Sequence, residues 1–409
     1  MLWAVSRSFA LLDPGSRLTR VVMEGVSPID TVNTSPMMLL AADLSEYYGG
    51  STFDEAEKVL VSQLKYSHRR PETRWTASRL ARIGSRGQAG VLRRLAEAFT
   101  AHQQAHSREE LLAKLRLRLV SNQPAHLNLA AVLARTRAVL DERPGRLRLS
   151  TLTTTLTPSQ EADLRRLHAA SGLSELAFSD LLRVLDIDDL GAASRASHEK
   201  QIISALGRHL IDGARGAARD LYHLFRKEAL PEATGRLGVE KADLLAALDV
   251  PREEALFPLP PKFTDPRDPI PTADAAAVAS AICEGDSRVI AHGSAGVGKT
   301  TMLALLEKQL PAGSAVIRYD CFGGGQYLSP AEPRHQIELA LLQIINELAV
   351  QVGTPILVRR GDAFGSWQHL LSTLRLVSAT MAESDARLVI AIDAADNAAF
   401  AGQEHAHET

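Results

Sequence analysis

The stretch VIAHGSAGVGKTT, residues 289–301, combines a short apolar run with three glycines, one lysine and two threonines. The spacing Gly293-x4-Gly298-Lys299-Thr300 satisfies the G-x-x-x-x-G-K-[ST] pattern of a phosphate-binding loop. Glycine permits backbone angles closed to other residues, and it lets N–H groups approach a phosphate chain. The helix expected next points its positive end at the same place. The pattern therefore predicts a strand, a phosphate loop and a helix in succession.

The residue types of this loop predict a site for ATP and Mg²⁺. We expect Lys299 to reach the β and γ phosphates and the hydroxyl of Thr300 to bind Mg²⁺. The alternative is a chance glycine turn, which the flanking segments and a downstream partner strand disfavour. The predicted nucleotide-binding residues are Gly293, Ser294, Ala295, Gly296, Val297, Gly298, Lys299, Thr300 and Thr301.

The sequence around the loop alternates between strand and helix patterns. Such alternation is typical of a parallel sheet covered by helices, so residues 272–409 are predicted to form a P-loop NTPase domain. The predicted elements are a helix at 273–284, a strand at 287–293, a helix at 299–310, a strand at 314–322, a helix at 333–351 and a strand at 386–396.

The second half of the predicted nucleotide site follows the apolar run RLVIAID. Asp393 ends this run and is predicted to hold Mg²⁺ through its shell. Asp396 and Asn397 come next, and Asp396 is the better candidate to orient or deprotonate a water, because a carboxylate accepts a proton and an amide does not. The alternative for Asp396 is a helix-capping aspartate after the strand.

The segments GSAGVGKTT and IDAADNA resemble the STAND class of signal-transducing NTPases, relatives of NACHT proteins. Asn397 stands where that class usually has Glu, which argues against rapid hydrolysis. VIRYDCFGGGQY and RHQIELALLQIINELA are similar to the segments between the two motifs in bacterial antiviral STAND (Avs-like) ATPases. The resemblance implies that ATP binding, prompted by a foreign protein or nucleic acid, drives homo-oligomerisation and switches on an effector domain in antiviral defence.

The sequence contains only part of the strand–helix pattern expected of an NTPase domain. The chain ends at Thr409, just after the Asp393 strand, whereas a doubly wound NTPase needs further strands. The STAND class also adds a winged-helix module and a sensor array. We therefore expect a fragment or truncated product, with an incomplete NTPase sheet that binds nucleotide poorly.

Residues 1–125 mix strand and helix patterns and are predicted to form a separate α/β domain. Gln63 and Lys65 lie two apart on an apolar strand pattern, so their side chains share one face. A metal-dependent phosphodiesterase needs a carboxylate, a second metal ligand and a cation near the scissile phosphate. The predicted strands are 18–26, 37–44, 57–67 and 115–124.

EKVLVSQLKYSHRR resembles the restriction-like PD-(D/E)XK nucleases in their Q-x-K version. The resemblance implies that Gln63 binds a metal and that Lys65 is catalytic, together with an upstream acid. Asp30 is the first choice for this acid and metal ligand, Asp43 is the second, and Glu24 is a supporting ligand. The family usually has an earlier helix, and since only SRSFALL precedes, we expect that helix to be missing.

Basic residues follow the Q-x-K motif. Nine of them fall between residues 65 and 94 against one acid, Glu72, so this stretch is predicted to neutralise phosphates of double-stranded DNA. The alternative for the stretch is a solvated arginine-rich helix face, and for Gln63 and Lys65 it is the exposed face of an edge strand. The nine are Lys65, Arg69, Arg70, Arg74, Arg79, Arg82, Arg86, Arg93 and Arg94.

The whole chain is thus predicted to be a multidomain α/β protein. It comprises a restriction-endonuclease-like domain (1–125), a helical middle region (126–250), a proline-rich linker (251–271) and a partial P-loop NTPase with a parallel sheet (272–409). The net charge of −2 gives no overall field toward nucleic acid or membrane. Two cysteines without CxxC spacing, and no apolar run long enough for a membrane span, fit a reducing cytoplasm.

Three functions remain open from the sequence. The first is a Mg²⁺-dependent DNA endonuclease fused to an ATP-binding STAND switch. The second is an ATP-binding regulator whose amino-terminal module binds nucleic acid without cutting it. The third is an ATPase with a structural helical partner. Cutting of plasmid that depends on Lys65 separates the first from the others.

Overall fold

A computed structural model describes residues 1–26, 30, 42–82, 89–191, 194–230, 238–263, 270, 273–285, 288–294, 296–359, 361–381 and 384–406. The chain is a mixed α/β protein, as predicted, with one mixed sheet and one parallel sheet. It divides into two compact units. The first unit comprises Met1–Leu11, Ser16–Ser204 and Ala218–Leu244, and the second comprises Leu12–Gly15, Ala205–Ala217 and Leu245–Thr409.

The first unit contains a five-stranded sheet in the order β1-β2-β3-β4-β5. The first three strands form an antiparallel meander, and β3, β4 and β5 run parallel to one another. The carboxyl ends of the last three strands therefore meet at one edge of the sheet. The strands are β1 (Leu18–Met23), β2 (Leu44–Tyr48), β3 (Lys58–Lys65), β4 (Leu115–Ser121) and β5 (Leu185–Asp189).

Helices cover this sheet, and the helix α7 shows how local sequence defines an end. Thr157 accepts a hydrogen bond from the backbone N–H of Gln160, and the Gln160 side chain accepts one from the N–H of Thr157, with Pro158 at the first helical position. These reciprocal bonds form a capping box. The helices are α1 (Leu2–Ser8), α2 (Ala77–Leu80), α3 (Val91–Ala105), α4 (Arg108–Lys114), α5 (Leu127–Glu142), α6 (Leu149–Leu152), α7 (Pro158–Ser171), α8 (Glu175–Val184), α9 (Arg195–Leu206), α10 (Ala214–Glu228) and α11 (Lys241–Ala247).

The core of the first unit extends well beyond residue 125. Its buried members run from Val22 to Leu185 and include side chains of β3, β4, α5, α7 and α8. Strand β5 joins the same sheet, although its sequence LDIDD lies in the region predicted to be helical. The helix before the first strand was expected to be missing. Residues 2–8 nevertheless form a helix, α1, ahead of β1.

A buried ionic network lies on the opposite face of the sheet from this core. Glu46 is fully buried and accepts hydrogen bonds from Arg7 (2.9 and 2.7 Å), from the Tyr48 hydroxyl (2.8 Å) and from Arg118. Arg118 also lies 3.3 Å from Asp188 of β5. Because a buried carboxylate is costly unless paired, these partners hold β2, β4 and β5 in one register.

The second unit contains two parallel strands, β6 (Ala315–Asp320) and β7 (Leu388–Asp393). Their register pairs Asp320 with Asp393, so both strands end at the same level. Its helices are α12 (Ala273–Glu284), α13 (Lys299–Gln309), α14 (Ile337–Val352), α15 (Ala363–Met381) and α16 (Ala395–Ala406), and short 3₁₀ turns lie at Glu253–Leu256 and Gly323–Gly325.

One predicted strand of this unit is wrong. Residues 288–294 pair with no strand in the described part of the chain, and the Ile290 side chain is 86% exposed. An apolar run becomes a strand only when a neighbouring strand completes its hydrogen-bond ladder. Here the only described ladder of the unit joins β6 and β7.

The proline-rich segment packs more closely than a linker is expected to. Leu256 and Leu259 are buried, and the backbone N–H of Leu259 donates to Oε1 of Gln343 in α14 (2.8 Å). Residues 251–263 therefore contribute to the second unit, while 264–269 and 271–272 lie outside the described residues. None of the described helices is long and apolar enough to cross a membrane.

Candidate nucleotide and nuclease sites

The glycines of the phosphate loop occupy conformations that favour glycine. Gly296 has φ of 80°, and Gly298, which precedes the first turn of α13, has φ of 94°. Both angles lie in the left-handed region, where a β-carbon costs energy. Ala295 of the predicted loop lies outside the described residues.

The two predicted halves of the nucleotide site meet. The hydroxyl of Thr300 donates a 2.8 Å hydrogen bond to Oδ2 of Asp393, although 93 residues separate them. Asp393 is nearly buried, at 9% exposure, and it ends β7. A hydroxyl and a carboxylate at this distance are hard oxygen donors of the kind that Mg²⁺ accepts alongside phosphate oxygens and waters. The donor set therefore fits a magnesium ion carried by a nucleotide.

The predicted phosphate-binding lysine is held by the loop itself. The Lys299 ammonium donates to the carbonyl oxygens of Gly293 (2.7 Å) and Ser294 (2.9 Å). The positive charge therefore lies across the loop that the sequence predicts to surround phosphates. These contacts place Lys299, Thr300 and Asp393 within one site.

Asp396 lies in the first turn of α16 and is exposed. The residue before that helix is Ala394, with φ of 55°, so Asp396 is not the capping residue. Its carboxylate instead adds negative charge near the positive helix end. Burial first, and then the negative charges of Asp320, Asp393 and, least of these, Asp396, raise the pKa of the Cys321 thiol to about 11.

The sequence prediction missed a buried turn beside this site. Asp320 ends β6, and its Oδ1 accepts from the N–H groups of Phe322 and Gly323, both at 2.9 Å. Arg334, fully buried, donates to the Asp320 carbonyl at 2.8 Å and packs against Gly323, where a β-carbon would lie 2.3 Å from Nε of Arg334. The sequence signal that could have predicted this turn is Asp320 at the end of a strand, followed closely by the three glycines at 323–325.

In the first unit, the strand register brings one predicted acid to the Q-x-K motif. The antiparallel ladder of β2 and β3 ends where Leu44 pairs with Ser62, and Asp43 is the next residue. The N–H of Asp43 donates to the Ser62 carbonyl (3.0 Å), and Oδ2 of Asp43 accepts from the N–H of Leu64 (2.6 Å). The carboxylate of Asp43 therefore lies at the backbone of Leu64, the middle residue of the Q-x-K motif, and Lys65 shares a strand face with Gln63.

Gln63 is fully buried, and neither its Oε1 nor its Nε2 has a hydrogen-bond partner among the described residues. An unsatisfied buried polar group costs about 1–3 kcal/mol, so such a side chain needs an explanation. A divalent cation with its waters would supply one, because Oε1 of Gln63 and the carboxylate of Asp43 are oxygen donors. The described residues hold no group of three His, Cys, Asp or Glu for a metal, so waters and substrate phosphate would complete the shell.

Asp30, the first-choice acid, lies elsewhere. Its Oδ2 accepts from the hydroxyl of Tyr47 (2.8 Å) and its Oδ1 from the N–H of Phe53 (3.0 Å), in the turn that joins β2 to β3. Tyr47 pairs with Val59, four residues before Gln63, or roughly 13 Å along a strand. Burial raises the pKa of Asp30. The structure thus brings Asp43, and not Asp30, to the Q-x-K motif.

Glu24 remains near Asp43. Its backbone N–H donates to the Asp43 carbonyl at 3.1 Å, its side chain is exposed, and its φ is 50°. A positive φ is uncommon for a residue with a β-carbon and is frequent at functional sites. The position suits a supporting ligand better than Asp30 does.

The basic stretch divides into engaged and free arginines. Arg79 stacks on the Trp75 ring at 4.0 Å, Arg93 pairs with Glu97, and Arg94 donates to a backbone carbonyl. Four others are exposed and form no ion pair within the described ranges, and these are Arg69, Arg70, Arg74 and Arg82. Arg86 lies outside the described residues. Three of the four follow β3 directly, at the edge where Lys65 lies.

No model of a known protein family matches this chain, and no curated protein is similar to it.

Proposed function

We propose that this chain is a metal-dependent DNA endonuclease regulated by ATP. In this proposal the second unit binds ATP with Mg²⁺, and the first unit cleaves a phosphodiester bond. The observation that carries the proposal is the hydrogen bond between Thr300 and Asp393, because it joins a phosphate loop to a carboxylate at a neighbouring strand end.

The residues of the second unit suit separate tasks in nucleotide binding. The glycine loop presents N–H groups to phosphate oxygens, and Lys299 moves from the carbonyls of Gly293 and Ser294 to the β and γ phosphates. Thr300 and Asp393 would hold Mg²⁺, which supplies charge neutralisation between phosphates when it is bound. Asp396 lies on the following helix, where it would orient a water.

Nucleotide binding is tested by calorimetry with ATP and MgCl₂. We expect Lys299→Ala to weaken binding at least about tenfold, the value of one lost charged hydrogen bond at the low end. Lys308→Ala is the matched control, since it removes an exposed lysine from the same helix. Equal affinity of wild type and Lys299→Ala would refute the role of this loop.

The first unit supports the nuclease half of the proposal. Asp43 and Gln63 would hold a divalent cation, whose role when bound is to polarise the phosphate and lower the pKa of a water. Lys65 places a positive charge on the same side, where it would stabilise charge that develops on the phosphate. Exposed arginines 69, 70 and 74 would hold the DNA backbone on either side.

Incubation of the protein with supercoiled plasmid and MgCl₂, with and without ATP, tests this half. We expect nicking or linearisation that is lost in Lys65→Ala and retained in Lys58→Ala, a control at the exposed start of the same strand. The second candidate is a regulator that binds DNA without cutting it. Full burial of Gln63 favours that alternative, because a buried side chain is poorly accessible to a substrate. Plasmid that is bound by the protein without any cut product would establish it.

The STAND resemblance adds the biological role. We propose that ATP binding changes the assembly state of the chain and thereby activates the nuclease in antiviral defence in the cytoplasm. Under this proposal the nucleotide acts by shifting a population rather than by chemistry on DNA. Light scattering coupled to size-exclusion chromatography would detect a larger species with ATP and an activating foreign molecule, and an unchanged mass would count against the switch.

A further inference from the structure

A cavity of about 260 Å³ lies in the first unit at the carboxyl edge of its parallel strands. Leu64 and Lys65 of β3, Val120 of β4 and Leu190, just after β5, contribute to its floor. In open α/β sheets this edge is where ligands bind. The cavity therefore adjoins the proposed scissile site, with Lys65 common to both.

Aromatic and basic side chains from three helices close the other walls. Trp3 comes from α1, His198 and Arg195 come from α9, and Tyr222 comes from α10. The rings of Trp3 and His198 lie 6.4 Å apart at 59°. Tyr66, at 45% exposure, stands at the mouth and makes an edge contact with the His68 ring at 5.7 Å. The walls thus offer ring faces together with a few polar edges.

Two of these polar groups have capacity for a ligand. Nε1 of Trp3 is buried and donates to no atom in the described part of the chain. Burial lowers the pKa of His198, which keeps the imidazole neutral and able both to donate and to accept. A flat ring with carbonyl and amino edges would pair with both groups. A simple anion would leave the aromatic walls unused.

The size and the surroundings restrict the ligand further. The volume is below the roughly 300–1,000 Å³ of sites for drug-sized ligands, so one ring system fits better than a whole dinucleotide. The exposed Arg69, Arg70 and Arg74 follow Tyr66, a lining residue, in the chain, and they offer positive charge to the phosphates of a bound strand. Stacking on aromatic side chains is how proteins hold unpaired bases.

We infer that this cavity takes one unpaired nucleobase of the DNA whose backbone passes Lys65, so that strands with an extrahelical or unpaired nucleotide are bound in preference to perfect duplexes. The inference rests on the proposed nuclease function and names its substrate class. Duplexes are still bound through the arginines, but they gain the cavity contacts only where a base leaves the stack.

The test is fluorescence anisotropy with labelled DNA hairpins in CaCl₂, using a perfect duplex, one with a single bulged nucleotide, and one with an abasic bulge. We expect the bulged hairpin to bind about tenfold more tightly than the other two, the range for stacking of one base. Leu190→Trp fills the cavity and should remove this preference. Leu230→Trp, at an exposed site of the same unit, should retain it.

A second variant guards against a folding defect, because Trp3→Phe keeps an aromatic ring and removes the pyrrole part of the indole with its unpartnered N–H. We expect it to reduce the preference for the bulge severalfold while leaving affinity for the perfect duplex unchanged. Equal affinities for bulged, abasic and perfect hairpins would overturn the inference while leaving plasmid cutting intact. No binding to any hairpin would overturn it together with the nuclease proposal.

Discussion

Thr300 and Asp393 share a 2.8 Å hydrogen bond between Oγ1 and Oδ2, across a separation of 93 residues. Thr300 lies in the first turn of α13 and Asp393 ends β7, so one contact ties the glycine loop to the sheet. A hydroxyl that donates to a carboxylate leaves its own oxygen lone pairs directed outward. Both oxygens can thus serve one cation without a change of backbone position.

This contact predicts how magnesium affects ATP binding. We expect MgCl₂ to strengthen ATP binding to the wild type, and we expect Asp393→Asn and Thr300→Val to abolish most of that increase, because each removes one oxygen donor. Thr300→Ser keeps the hydroxyl and should retain the wild-type response. Calorimetric titrations with MgCl₂ and with EDTA measure the effect. A full magnesium response in Asp393→Asn would contradict the assignment.

The choice between the two acids of the first unit predicts opposite phenotypes. Asp43→Asn should abolish plasmid cutting and leave stability within about 1 kcal/mol, because an amide oxygen still accepts from the N–H of Leu64. Asp30→Asn should leave cutting intact, since its contacts lie with Tyr47 and Phe53. Plasmid assays with urea unfolding of both variants give the comparison. Loss of cutting in Asp30→Asn alone would instead identify Asp30 as the acid of the Q-x-K motif.

His102 predicts a pH dependence of stability. It is 3% exposed, and burial, followed by the charge of His106, lowers its pKa to about 3. Below about pH 6.5 the His102 side chain binds a proton in the unfolded chain but stays neutral in the folded chain. The contribution of neutral His102 to the free energy of unfolding is therefore complete above pH 6.5 and declines toward pH 3, by at most about 1.4 kcal/mol per pH unit.

The variant His102→Leu should remove this acid sensitivity. It replaces a buried ring, whose Nε2 has no described hydrogen-bond partner, with an apolar side chain against Phe53. Urea unfolding at pH 7 and pH 5 should then show a smaller loss for the variant than for the wild type. His68→Leu, which removes an exposed histidine, should keep the wild-type slope. Parallel slopes for wild type and His102→Leu would refute the effect.

The turn after β6 offers a matched pair of glycines. Gly323 and Gly324 both have positive φ, at 59° and 64°, so alanine is strained at each by about 1 kcal/mol. Only at Gly323 does a β-carbon meet Nε of the buried Arg334, at 2.3 Å, whereas the nearest atom to Gly324 is 3.8 Å away. We expect Gly323→Ala to destabilise the second unit by about 2–4 kcal/mol and Gly324→Ala by about 1. Equal melting temperatures would contradict this.

Local sequence patterns predicted the elements that depend on local interactions. Helix α12 follows the expected bounds, and the capping box at Thr157 forms because its two partners lie three residues apart. The contact between Thr300 and Asp393 was also predictable, because the G-x-x-x-x-G-K-[ST] spacing identifies Thr300 and the end of the apolar run RLVIAID identifies Asp393.

Features that depend on strand pairing were not predictable in this way. The sequence favoured Asp30 over Asp43 as the acid of the Q-x-K motif, whereas the pairing of β2 with β3 brings Asp43 to it, and local sequence does not specify that pairing. Strand β5 reads as LDIDD, a polar run that becomes a strand because β4 supplies its ladder and Arg118 its counter-charge. The stretch 288–294 shows the reverse case, an apolar run without a ladder.

If the loop binds ATP as proposed, the contacts of Lys299 affect the kinetics of nucleotide exchange. An ammonium that already satisfies two carbonyl oxygens is not left bare when ATP departs, so dissociation exposes no uncompensated charge. An arriving triphosphate must first replace those two bonds, which slows its capture and lowers its net affinity. The residence time of ATP would then depend on contacts that Lys299 and the loop carbonyls do not replace when ATP leaves, chiefly the contacts to the metal.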